Sequence, residues 1–206
     1  MDDGVFRWVM VAGFVAVVGV TAPHRARAGT REKLDRRKEG AFMLATLRPA
    51  GGALWLSIIA YMINPAWMAW SSMPLPIWLR WTGAVSSALS IALLIWTLPA
   101  LGRNLTDTVV TRKEHTLVTR GAYRWIRHPF YVSMALMTLG SALVAANWFM
   151  FVSGIVVFSL LAIRSRVEEE QLAARFGDAY LEYQKRTGRF LPKSLSKTTG
   201  PVRKNY

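Results

Sequence analysis

The chain has 206 residues, a formal net charge of +14, 52% hydrophobic residues and a mean hydropathy of +0.24. A soluble nucleic-acid binder can carry that charge, but not together with apolar runs of roughly 20 residues, so nucleic acid is excluded as the partner. Basic loops between apolar runs are the pattern of a membrane protein, and the absence of cysteine excludes disulfides and a cysteine nucleophile.

The first apolar run is Val5 to Val20, "VFRWVMVAGFVAVVGV", followed by "HRARAGTREKLDRRK". A cleaved signal peptide is the rival reading, since "ARA" precedes Gly29. Asp2 and Asp3 at the start, with positive charge after the run instead of before it, favour a retained span. The second run covers Ala50 to Trp70 and is closed by the prolines of "PAWMAWSSMPLP". The third extends from Pro76 to Leu101. The fourth, Phe130 to Ala146, and the fifth, Trp148 to Ile163, are parted only by Asn147. Together they are too long for one span, and a helical hairpin turning at Asn147 is expected.

Lys and Arg number seven in residues 24–40, six in 102–128 and ten from Arg164 onward, with none in 71–79 or at Asn147. Five spans place the three basic regions on one side and the two neutral turns on the other. The positive-inside pattern then puts the N-terminus outside and the C-terminus in the cytosol. The expected fold class is an all-α polytopic membrane protein of about five transmembrane helices with a C-terminal helical hairpin and cytosolic cofactor-binding flanks. By motif content it divides into an N-terminal membrane region (1–100), a core (101–192) and a polar tail (193–206).

Two cytosolic segments carry most of the reactive side chains: "RKEHTLVTRGAYRWIRHPFY" before the fourth run and "IRSRVEEEQLAARFGDAYLEY" leaving the fifth. A hairpin brings them side by side. Each residue also has a plain role to weigh. Arg120, Arg124 and Arg127 serve as positive-inside charges, His128-Pro129 as a helix start, and Tyr123, Tyr131, Tyr180 and Tyr183 as an interfacial aromatic belt. Glu168, Glu169 and Glu170 form a solvated face at the cost of mutual repulsion. Metal binding finds little support, because His24, His115 and His128 have no paired ligand spacing. A serine-triad elbow and phosphate-cradling glycine loops are both missing.

In sequence order, "HTLVTRGAYRWIRHPFY", the hairpin and R-x-x-x-EE-x-x-L-x-x-x-FG-x-x-Y-x-x-Y resemble the isoprenylcysteine carboxyl methyltransferase family. Phosphatidylethanolamine N-methyltransferases share the RHP-Y…EE core. The resemblance covers about residues 100–192. It implies a site for S-adenosyl-L-methionine without a Rossmann domain. Cofactor-binding positions fall on His115, Thr116, Leu117, Val118, Tyr123, Arg127, His128, Pro129, Phe130, Tyr131 and Glu168. The substrate-binding arginine falls on Arg164, and Arg164, Glu168 and Glu169 are the expected catalytic set. A carboxylate, a sulfonium and ribose hydroxyls call for a cationic donor, electron-rich neighbours and a carboxylate acceptor, and these residues supply them. One departure is Ser133, where the family usually has glycine.

The reading is a membrane methyltransferase that takes its cofactor from the cytosol and a lipophilic acceptor from the bilayer, and most favours carboxyl O-methylation. A lipid amine acceptor would need a proton acceptor, for which Glu169 is the candidate, and a small thiol is a further alternative. The tail "LEYQKRTGRFLP" resembles the carboxyl branch more than the lipid branch. A non-catalytic scaffold binding anionic lipid explains the charge but not the ordered His, Tyr and Glu positions.

Overall fold

The computed structural model of the protein describes residues 3–28, 41–102 and 116–193. Among them are six α-helices and no β-strand: α1 (Asp3–Ala28), α2 (Ala41–Ile63), α3 (Ile77–Leu101), α4 (Pro129–Val144), α5 (Trp148–Phe176) and α6 (Asp178–Arg186). Short 3-10 helices cover Pro65–Ser71 and Gly121–Arg124. The all-α, polytopic architecture read from the sequence is the one observed.

Among the described residues, α1, α2, α3 and α5 are long and apolar enough to cross a membrane, and α4 is a shorter apolar helix of 16 residues. At 1.5 Å per residue α4 extends roughly 24 Å, less than the ~30 Å of hydrocarbon. It is short because it is enclosed. Pro129, Ser133, Met137, Gly140, Ser141, Ala142 and Val144 are all buried against protein, so little of α4 faces lipid.

Several boundaries differ from the sequence expectation: α1 runs on past Val20 to Ala28, and α2 already begins at Ala41 instead of Ala50. The second helix stops at Ile63 instead of Trp70, because Asn64 caps a new 3-10 helix through a 3.0 Å bond from the Ala66 amide and Pro65 begins it. The fifth helix does not stop at Ile163 but runs on to Phe176, lifting Arg164, Glu168 and Glu169 along a rigid axis. Gly177, at a φ of 54°, then breaks it in the left-handed region that glycine tolerates.

One end of the bundle is tied by polar side chains that satisfy free helix carbonyls. Arg80, on the first turn of α3, donates to the Val144 carbonyl at 2.9 and 3.0 Å, to Tyr61 Oη at 3.2 Å and to Asp3 at 3.0 Å. Its guanidinium lies 3.8 Å over the Phe6 ring. Arg7 donates to the Met62 carbonyl at 2.7 Å. Asn147 makes the α4–α5 turn: its amide donates to Ser71 Oγ at 2.7 Å and the Met68 carbonyl at 3.2 Å, while its oxygen caps Met150. The start of α1, the end of α2, the start of α3 and the hairpin turn therefore share one end, as alternating antiparallel spans require.

The α3–α4 crossing fixes the geometry of the opposite end. Gly83 and Gly140 face each other so closely that a Cβ on Gly140 would meet Ser87 Oγ and lie 2.7 Å from the Gly83 carbonyl oxygen. Small residues allow this approach, and hydroxyls then reach across it. Ser86 Oγ donates to the Leu136 carbonyl at 2.8 Å and Ser90 Oγ to the Ser133 carbonyl at 2.7 Å. Ser133, the departure from the expected glycine, is fully buried in this crossing and bonds back to the Pro129 carbonyl at 3.0 Å. Serine is small enough for the same close packing.

Candidate active site at the open end of the hairpin

The start of α4 and the polar end of α5 meet here, held by a strap, residues 187–193, that follows α6. Pro129 opens α4 at its first turn, where the missing amide hydrogen costs nothing. Gly121, with φ at 61°, lets the preceding segment turn against α3, where a Cβ would sit 3.1 Å from Ala100 Cβ. The strap then runs parallel to the Ile126–His128 segment. Arg127 N donates to the Gly188 carbonyl at 2.9 Å, His128 N to the Arg189 carbonyl at 3.0 Å, and Gly188 N to the Trp125 carbonyl at 3.3 Å. Any side chain on Gly188 would collide with the Leu191 carbonyl, so glycine is required for the strap to turn.

The two adjacent glutamates have opposite environments. Glu169 is 3% exposed and both its oxygens are filled. Oε1 accepts from Arg127 Nε at 2.8 Å and Arg189 Nε at 3.2 Å and pairs with His128 Nε2 at 3.1 Å; Oε2 accepts from Arg189 Nη2 at 2.6 Å and Gln184 Nε2 at 3.2 Å. Two guanidinia at such distances hold it as a carboxylate. This clamp joins α5, the RHP segment, α6 and the strap at one atom group. Arg127 also donates to the Gln184 and Thr187 carbonyls. On the outer side, a cavity of about 510 Å³ lined in part by Arg127, Lys185, Arg189 and Lys193 opens between α6 and the strap.

Glu168 is different. Its side chain is 32% exposed, accepts from Tyr131 Oη at 2.9 Å and lies 4.0 Å from His128 Nδ1. The His128 and Tyr131 rings stack, with centroids 5.3 Å apart and planes 10° from parallel. Phe190 from the strap packs against His128 at 5.8 Å. Among the described residues, these give one carboxylate with unused acceptor capacity beside stacked electron-rich rings. Tyr123 is buried under this cluster, and Tyr183 Oη donates to its carbonyl at 2.7 Å. Burial pushes the Tyr183 hydroxyl up to about 12, so it remains a neutral donor.

Of the other expected site residues, Arg164 stands one turn before Glu168 on α5, which puts both on one face. Its charge is within Coulombic reach of the Tyr131 hydroxyl. Phe130 and Pro129 line the start of α4, with Phe130 packed on the Val17, Leu94, Leu98 and Met137 cluster. Leu117 and Val118 are half-buried and Thr116 is exposed, while His115 lies outside the described residues. Arg120 and Arg124 are exposed, and Arg124 lies over Trp125. Sequence reasoning assigned no role to Gln184, Arg189 or Phe190, although the "GRFLP" tail of the motif contains two of them. That tail was the only signal for them.

The methyl donor that the family resemblance implies can be tested against this donor set. Among the described residues Glu168 has free lone pairs for hydroxyl donors, the His128–Tyr131 stack presents π-density to a cation, and an apolar bundle ends at the same point. The residues present fit such a group.

Fold and site define a helical membrane protein with a polar site at one end of its bundle. Residues 84–174 match the model of the Isoprenylcysteine carboxyl methyltransferase (ICMT) family, reaching back into α3. The human Protein-S-isoprenylcysteine O-methyltransferase is 33% identical over 126 residues, 60% of this chain and 44% of that protein. The enzyme of the same name from Dictyostelium discoideum is 26% identical over 73% of this chain and 64% of its own length. The chain thus spans under half the length of the human relative. Among solved structures, the eukaryotic intramembrane Ras methyltransferase ICMT shares the fold with a TM-score of 0.53 at 21% identity, covering 89% of this chain and 62% of the other.

Proposed function

We propose that the protein is an integral membrane methyltransferase that uses S-adenosyl-L-methionine to esterify the carboxylate of a lipophilic, isoprenylcysteine-like acceptor. The observation that carries this reading is the contrast between the two glutamates: Glu169 is saturated by cations, while Glu168 keeps open acceptor capacity beside the His128–Tyr131 stack. When bound, the cofactor supplies a methyl carbon whose bond to sulfur breaks, the electron pair staying on sulfur, as an acceptor carboxylate oxygen bonds to it without releasing a proton.

No general base is then needed. Glu168 holds cofactor hydroxyls, with Tyr131 fixing its orientation. Arg127 is occupied in the clamp, so its contribution is to hold the RHP segment, and Glu169 acts with it. Arg164 holds the acceptor carboxylate, ideally through two parallel bonds. Positioning and exclusion of water supply the rate. An amine or thiol acceptor would need a proton acceptor; Glu169 has no free lone-pair direction to serve as one, and Glu168 is assigned to the cofactor hydroxyls. That weighs toward the carboxylate.

Glu168→Gln is expected to weaken cofactor binding by about 2 kcal/mol, the cost of a charged hydrogen-bond partner, as read by calorimetry on detergent-purified protein. Arg164→Lys is expected to cut turnover while leaving cofactor affinity close to wild type, since lysine keeps the charge but loses the planar fork. Equal loss of both quantities in Arg164→Lys would refute its role.

The site end is proposed to face the cytosol, because α1 and α3 end there and α5 leaves there, each bordering a basic stretch of the sequence, while the tied end carries the neutral turns. In this cysteine-free chain, Thr30→Cys and Leu75→Cys are expected to label from opposite sides of sealed vesicles. Labelling from one side would reject the orientation.

A further inference from the structure

A lipophilic acceptor must travel from the bilayer to a polar site, and two aromatic side chains connect that site to α5. Phe190 packs against His128 at 5.8 Å on one side and against Phe158 at 5.5 Å on the other. Phe158 lies on α5, a helix whose Ile155, Val156 and Ile163 are 43–52% exposed. Phe190 therefore stands between the His128 ring and the apolar part of α5. Its backbone is not free to drift: Arg189 is held by Glu169, and the strap is bonded to Arg127 and His128 through the Gly188 and Arg189 carbonyls. The next residue, Leu191, is 76% exposed, so the strap itself presents apolar surface at this level. The strap is thus ionic where it meets Glu169 and apolar where it meets Phe158.

We infer that Phe190, backed by Phe158, forms the wall against which the acceptor's apolar chain is aligned, and so determines which chain is accepted. The inference rests on the carboxyl-methylation reading. A flat, rigid ring suits this role, because it offers a large apolar face and loses little conformational entropy on contact. Fixed at its backbone, it also sets how far the chain's head can advance toward His128. Truncating it would open space beside His128 and change the register of a bound chain without removing a polar contact to the cofactor.

The test uses the full chain in detergent with the geranyl, farnesyl and geranylgeranyl thioethers of N-acetylcysteine as acceptors. For Phe190→Ala, the ratios of kcat/KM among the three thioethers are expected to change by about tenfold, the discrimination that apolar pocket contacts provide. Cofactor affinity is expected to stay within about twofold of wild type. Phe190→Leu should shift the ratios less, and it replaces Phe190→Ala if thermal unfolding shows that variant to be unfolded. Uniform loss on all three thioethers with a matching loss of cofactor affinity would overturn the inference, leaving Phe190 as a wedge for His128. A wild-type protein that methylates none of the three would instead strike the underlying reading.

Discussion

Glu169→Ala is expected to destabilise the protein by about 3 kcal/mol, the penalty of removing one partner from a buried ionic cluster. The carboxylate accepts from Arg127, Gln184 and Arg189 and pairs with His128, so its loss leaves two guanidinia facing each other without a counter-ion. The figure sits at the low end of the range because Arg189 is 32% exposed and the adjoining cavity admits water to it. The strap should be released first, since Arg189 is its main side-chain tether. Thermal unfolding in detergent and tryptic cleavage after Arg186, Arg189 or Lys193 both read this. Cofactor binding should fall as well, because His128 loses its Glu169 partner. Glu168→Ala should differ in kind: weaker cofactor binding with nearly unchanged unfolding. If Glu168→Ala unfolds the protein and Glu169→Ala does not, the two roles are reversed.

Gly140→Ala is expected to cost about 3 kcal/mol, at the upper end of ordinary overpacking. The added Cβ meets Ser87 Oγ, the Gly83 carbonyl oxygen at 2.7 Å and the Ser87 amide nitrogen at 2.9 Å. A side chain could rotate away, but two of these three atoms are backbone, so α3 and α4 must separate. That separation also breaks the bonds from Ser86 and Ser90 across the interface. Because α4 carries His128, Pro129 and Tyr131 at its start, activity should fall with stability. Gly51→Ala is the matched control, since nothing lies within 4 Å of its Cβ position on α2; it should be neutral or slightly stabilising. Equal behaviour of the two variants would dismiss the tight crossing.

The helical spans and the turn at Asn147 were legible because hydropathy and loop charge act over many residues and report directly on membrane crossing. The short 3-10 helix at Pro65–Ser71 was not, because Trp and Met in it read as apolar span until Asn64 and Pro65 are seen to cap and start it. In the site, the pattern named His128, Tyr131, Glu168 and Glu169 and gave Glu168 to the cofactor, but offered Glu169 as a proton acceptor and could not show that it is enclosed by cations. Successive residues on a helix point about 100° apart, so one faces the strap and the other the stack. The strap is a non-local element, and nothing in local sequence says that Arg189 returns to Glu169 or Phe190 to His128. Arg80 was hidden for a similar reason: it sits one residue beyond the neutral turn, and its charge is absorbed by Asp3 and by a carbonyl of α4.

The proposed reaction joins a methyl group to a lipophilic carboxylate. Its most direct test is to incubate the purified protein with methyl-labelled S-adenosyl-L-methionine and either an S-farnesylated cysteine bearing a free carboxylate or phosphatidylethanolamine. Label is expected on the farnesylcysteine, released as methanol by mild base, and is expected to be lost in Arg164→Met. Base-stable label on the lipid amine, with none on the carboxylate, would contradict it.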